Sequence, residues 1–170
     1  AFAIWGVIFL GLIAYALFGI RRAFFSKKET PHIEQTGYWF ALTNFLNTAW
    51  VVAFTYDYVW LSVLIIIGML ISLLNIVFRT NMERWDAPIE IIAFVWWPVC
   101  IYSGWIAVAT IANISAFLVK LGCAGSQLAQ IIFTMLLITV AVYINLLITN
   151  LRNMREFAMV GAWALFAIFI

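Results

Sequence analysis

Apolar positions along this chain come in long unbroken runs rather than in the spaced stripes of a soluble helix. Six such runs can be counted, at about 2–20, 38–56, 59–78, 89–118, 127–149 and 157–170, separated by short segments that hold nearly all the charge. A helix needs about 20 predominantly apolar residues to cross a bilayer, so each run predicts a spanning segment. Buried backbone polar groups in lipid must pair within their own segment, and these runs are too long and too uniformly apolar to be alternating barrel strands. The predicted fold is all-α: a polytopic transmembrane helix bundle of about six spans, forming a single transmembrane domain over 1–170. The first run is too long and too aromatic for a signal-peptide core and has no basic stretch before it, so it reads as a retained helix. Both termini lie inside apolar runs, which suggests part of a longer chain. Pro98 interrupts the long fourth run and predicts a kink, because proline lacks the N–H and clashes with the preceding turn. Asp86, just before Ala87 and Pro88, is placed to cap that helix, with Glu90 in its first turn.

Composition excludes water as the solvent. The chain is 67% hydrophobic and 9% charged, where soluble proteins average about 45–50% and about 25%. Nine basic and seven acidic side chains cannot cover a soluble surface of this size. The missing surface faces lipid.

Charge then orders the loops. Arg21, Arg22, Lys27 and Lys28 follow the first run, Arg79 and Arg84 the third, and Arg152 and Arg155 the fifth, whereas Lys120 alone falls on the other side. By the positive-inside rule the loops after spans 1, 3 and 5 are cytoplasmic, in a bacterial inner membrane or an organellar one. Fixing topology accounts for the basic residues, and no nucleic-acid partner is implied.

The apolar runs hold no ionisable group at depth: every carboxylate and the single His32 map to loops or helix ends. Ion pumps and proton-coupled carriers keep such groups inside the membrane, and no nucleophile pair, metal cluster or phosphate loop is present, so the sequence does not read as an enzyme. Cys100 and Cys123 have neither disulfide nor metal spacing and read as free thiols.

What the interior does contain is aromatic and amide side chains at helical spacing. Trp5 and Phe9 are four apart, Asn47, Trp50 and Phe54 fall at i, i+3 and i+7, and Tyr102, Trp105, Ala109 and Asn113 fall at i, i+3, i+7 and i+11. Each set occupies one helix face. An indole or amide at depth seeks a partner rather than lipid, so these faces should turn inward, either as interhelical packing or as the wall of a pocket for a flat, mostly apolar ligand. Trp39, Trp60 and Trp85 fall at span ends, where an aromatic belt explains them.

These faces also carry a resemblance. Leu46-Asn47-Thr48-Ala49-Trp50 with Phe54 resembles the Leu-Asn-x-x-Trp-x-x-x-Phe stretch of the tryptophan-rich sensory proteins, the TspO or translocator protein family. Tyr102, Trp105, Ala109 and Asn113 are similar to that family's Tyr-x-x-Trp-x-x-x-Ala-x-x-x-Asn signature, and Phe2 to Phe9 resemble its Trp-containing helix, with Phe9 in place of Tyr. Two positions differ: Ile101 stands where the family has proline, and no glutamine precedes Leu46-Asn47, although Asn44 supplies an amide one turn away. The resemblance covers about 2–118 and points to the longer, divergent branch, a TspO-like core (2–118) with additional helices (119–170) and with the family's first helix outside the sequence. It implies non-covalent binding of a porphyrin, haem-related tetrapyrrole or sterol between helices, with Trp5, Phe9, Asn47, Trp50, Phe54, Tyr102, Trp105, Ala109 and Asn113 as the candidate lining and no required cofactor. Sensory, regulatory and transport roles all fit. A structural or assembly subunit of a larger membrane complex is the competing reading. Expected partners are the lipid bilayer, such a ligand, and a homodimer or membrane-complex subunits.

Overall fold

The computed structural model describes residues 3–25, 31–123 and 125–169. Lys27, Lys28 and Glu29 therefore lie outside the described residues, as does Phe2. The described residues form α1 (Ile4–Phe25), α2 (Pro31–Thr36), α3 (Trp39–Thr55), α4 (Val59–Arg79), α5 (Ile89–Ile91), a π-helical turn (Ile92–Trp96), α6 (Trp97–Lys120), α7 (Gln127–Arg152) and α8 (Arg155–Phe169), with no strand among them. All six apolar runs are helices. Four are long and apolar enough to cross a membrane: α1, α4, the continuous Ile89–Lys120 rod and α7. At 17 residues α3 reaches about 26 Å, a few ångströms short of the roughly 30 Å hydrocarbon layer. Tyr38 and Trp39 at one end and Tyr56 and Tyr58 at the other supply interfacial aromatics that accommodate such a mismatch.

The break expected at Pro98 takes a specific form. Its ring would clash with the carbonyl of Phe94, one α-turn earlier; instead the chain adopts the π-helical turn Ile92–Trp96 directly upstream, whose wider register relieves the clash. The cap expected from Asp86 is not made. Pro88, in extended conformation, occupies the N-cap position itself, with no side-chain cap bond, so Asp86 sits two residues too early. Glu90 does occupy the first turn and pairs with Arg22 at 2.7 Å, tying the end of α1 to the start of the long rod.

Helices in lipid gain little from hydrophobic burial against each other, so close packing and hydrogen bonds must hold them. The buried ridge Ile66, Met69, Leu73 and Ile76 of α4 faces Val99, Tyr102 and Ile106 of α6 in one core. On the other side of α6 lies α8, with Met154, Phe157, Val160 and Ala164 buried. Gly104 makes that approach possible, because a Cβ there would stand 3.0 Å from the Phe157 carbonyl oxygen and 3.2 Å from its Cα. Helix α7 is different: none of its residues is buried. A left-handed Asn153 ends it and turns the chain into α8.

The two ends of the bundle are chemically distinct. At one, Lys120 pairs with Asp57 across the α3–α4 turn. At the other, Arg84 donates to the Leu151 carbonyl and the Arg152 guanidinium lies 4.4 Å over the Phe78 ring. Glu83 belongs to that second end. Partial burial pushes its carboxyl up from the ordinary carboxylate range, Glu156 adds to the rise, and Arg155 pulls against it. Trp85, half exposed beside it, donates to the Thr80 carbonyl and meets Trp96 edge-on.

Candidate functional site

The three aromatic faces converge on a single cavity. Trp5 of α1, Trp50 and Phe54 of α3, and Trp105, Ala109 and Asn113 of α6 line a space of about 260 Å³. Six of the nine residues singled out from the sequence thus share one wall. Helix α1 packs mainly on α6 and α3 on α4, and the two meet where Tyr15 stacks on Phe40 at 4.2 Å.

Ring geometry organises the wall. Trp5 stacks on Phe9 at 5.4 Å and meets Trp105 and Tyr102 edge-on at 6.2 Å each. Trp50 stacks on Phe54 at 5.4 Å on the opposing helix. Aromatic pairs on α1 and on α3 thus contribute to the wall together with α6.

The other three residues take different places. Phe9 is half exposed, off the cavity wall and stacked on the outer side of Trp5. Tyr102 is fully buried in the α4–α6 core, supporting Trp5 from behind. Asn47 is partly buried and does not line the cavity. Asn44, the substitute amide, donates to the Phe40 carbonyl of its own helix at 2.8 Å.

Sequence reasoning missed Ser62, Val108, Ala112, Ala116 and Ala164. Ser62 Oγ of α4 lies 3.1 Å from Asn113 Oδ1 and 2.8 Å from the Val59 carbonyl, so its single proton is shared between two acceptors. The three alanines and Val108 complete the wall. Ala112 and Ala116 continue the i+4 row begun by Val108 on α6, a signal that periodicity could have supplied. Ala164 comes from α8, and no local pattern could have placed it there.

The polar chemistry of the wall is sparse and one-sided. Asn113 Nδ2 is buried and unpaired, and the Trp50 Nε1 is buried and unpaired as well. Both are donors. No titratable side chain lines the cavity, and among the described residues no group of His, Cys, Asp or Glu could hold a metal ion.

An all-helical bundle with four helices long and apolar enough to cross a membrane, and an aromatic cavity among its helices, defines an integral membrane protein. The chain matches the TSPO-like protein family over residues 1–170, and belongs to it. It shows no significant match to a curated protein or to a solved structure.

Proposed function

We propose that the chain binds a planar, largely apolar ligand of the porphyrin, haem-related tetrapyrrole or sterol class in this cavity, without altering it chemically, in a sensory, regulatory or transport role. One observation carries the reading: two buried N–H donors without partners, Trp50 Nε1 and Asn113 Nδ2, stand on the wall of a single aromatic cavity. A buried donor left unpaired costs about 1–3 kcal/mol, so the wall is set for a ligand that brings acceptors. The rings of Trp5, Trp50 and Trp105 on the wall supply stacking surfaces, and the small Ala109 side chain leaves space beside them. At about 260 Å³ the space falls just under the roughly 300–1,000 Å³ usual for drug-sized ligands. It would enclose one uncharged edge of such a ligand with its acceptor, any ionised substituent staying outside because the wall carries no counter-charge. The absence of titratable groups on the wall supports binding rather than catalysis.

Ala109→Phe tests the proposal. Filling a ligand cavity should abolish quenching of intrinsic tryptophan fluorescence by protoporphyrin in detergent while leaving thermal stability unchanged. In a close-packed face the same substitution would overpack the bundle, at about 1–3 kcal/mol. Titration curves identical for parent and variant would remove this site from consideration. Trp50→Phe keeps an aromatic ring, though a smaller one, and deletes the donor, and should weaken binding at least about three- to tenfold, the worth of one hydrogen bond.

A further inference from the structure

On the neighbouring face of α6 the structure holds another cavity, lined by α6, α7 and α8 and about 260 Å³ in volume. Only Val108, Ala112 and Ala164 are common to the two walls. The lining is apolar apart from Ser115, Thr134 and Asn145, and no charged side chain reaches it. Thr134 spends its hydroxyl on the Gln130 carbonyl of its own helix at 2.8 Å. Asn145 donates through Nδ2 to the Ala141 carbonyl at 2.9 Å. Its Oδ1 is buried and accepts no hydrogen bond.

The amide is held where it is by α8. It lies flat on Gly161, where any Cβ would collide with the amide oxygen and nitrogen. A glycine at this one position therefore lets a polar side chain of α7 sit between two helices with an unmet acceptor. Thr134 and Asn145, both on the wall, are about 16 Å apart along α7, so the volume is drawn out to roughly the width of one chain. Because α7 buries none of its residues, the groove is reached sideways from the bilayer.

We propose that this groove binds one neutral long-chain alcohol, its hydroxyl donating to Asn145 Oδ1 and its chain lying between α6 and α7 toward Ser115 and Thr134. A fatty acid or an amine would bring a charge that nothing on the wall can offset. A plain hydrocarbon would leave Oδ1 unpaired. The hydroxyl would sit seven residues from the end of α7, about 10 Å inside it, on the basic side of the bundle.

The test uses the full chain in lipid nanodiscs, photolabelled with a diazirine-bearing hexadecanol or with the matched diazirine-bearing hexadecane and mapped by peptide mass spectrometry. The alcohol should label the α7 and α8 segments around Ala141, Asn145 and Leu165 about three- to tenfold more than the hydrocarbon does, the ratio one hydrogen bond supplies. Asn145→Leu should bring the alcohol down to the hydrocarbon level. Ala141→Phe keeps the amide and fills the groove, and should remove labelling by both probes. Should Asn145→Leu fail to elute as a single species, the parent's alcohol-to-hydrocarbon ratio and its loss in Ala141→Phe decide. Equal labelling of the parent by both probes, or undiminished alcohol labelling in a folded Asn145→Leu, would mean bulk lipid only and overturn the proposal.

Discussion

Single side chains decide how the first cavity presents itself. Asn113 turns its Oδ1 toward the Ser62 hydroxyl at 3.1 Å, and that hydroxyl shares its one proton with the Val59 carbonyl at 2.8 Å. Ser62→Ala frees that amide to rotate while removing no atom of the wall. Porphyrin affinity in this variant should fall by up to about tenfold, with a stability loss of about 0.5–1.5 kcal/mol, read by fluorescence titration and thermal unfolding. An unchanged affinity would show that the orientation of Asn113 does not matter to the ligand. Glu83 governs a different property. Its folded-state pKa is raised above 4.5, so the folded protein holds the proton where the unfolded chain has lost it. Its contribution is then most favourable at low pH and is lost as pH rises through the raised value. Glu83→Gln removes the titration: its melting temperature should exceed the parent's at neutral pH, and the gap should close toward about pH 4. A gap that is constant across that range would rule out a raised Glu83.

At the scale of elements, α8 matters more than its place at the end of the sequence suggests. It packs on α6 through Gly104, buries Phe157 and Val160, and lends Ala164 to both cavities. Gly104→Val puts branched carbon where the Phe157 backbone already lies, and should cost about 1–3 kcal/mol. Gly6→Val is the matched control, since a Cβ on Gly6 meets nothing within 4 Å. Equal melting temperatures for the two variants would show that α8 does not depend on close approach at Gly104. The rod from Ile89 to Lys120 makes a related point: its π-helical turn sets the rotation of the Glu90–Trp96 segment relative to the cavity-bearing face that begins after Pro98.

For the whole molecule, the arrangement of charge predicts an orientation. Arg22, Arg84 and Arg152 gather at the end that holds Glu90 and Glu83, whereas Lys120 and Asp57 pair at the other. If the basic end faces the cytoplasm, Cys123 faces outward. Cys100 is buried and Cys123 exposed, so a membrane-impermeant maleimide should label intact cells through Cys123, and Cys123→Ser should abolish the signal. Labelling that appears only after the membrane is opened would reverse the topology.

The sequence by itself determined the membrane class, the all-helical fold and the positions of six helices, because a bilayer imposes one length and one polarity on anything that crosses it. Periodicity also put Trp50 with Phe54, and Trp105 with Ala109 and Asn113, on common helix faces, since spacing along one helix is a local property. Which of those faces met was a matter of tertiary packing. Tyr102 shares the face of Trp105 yet went into the α4–α6 core, and Asn47 shares that of Trp50 yet stayed off the wall. Helix rotation and crossing, fixed by contacts such as Gly104 against Phe157, decide how much of a face reaches a cavity. The same holds for Ala164 and Asn145, whose neighbours come from distant parts of the chain: no window of sequence contains both sides of such a contact, and only packing brings them together.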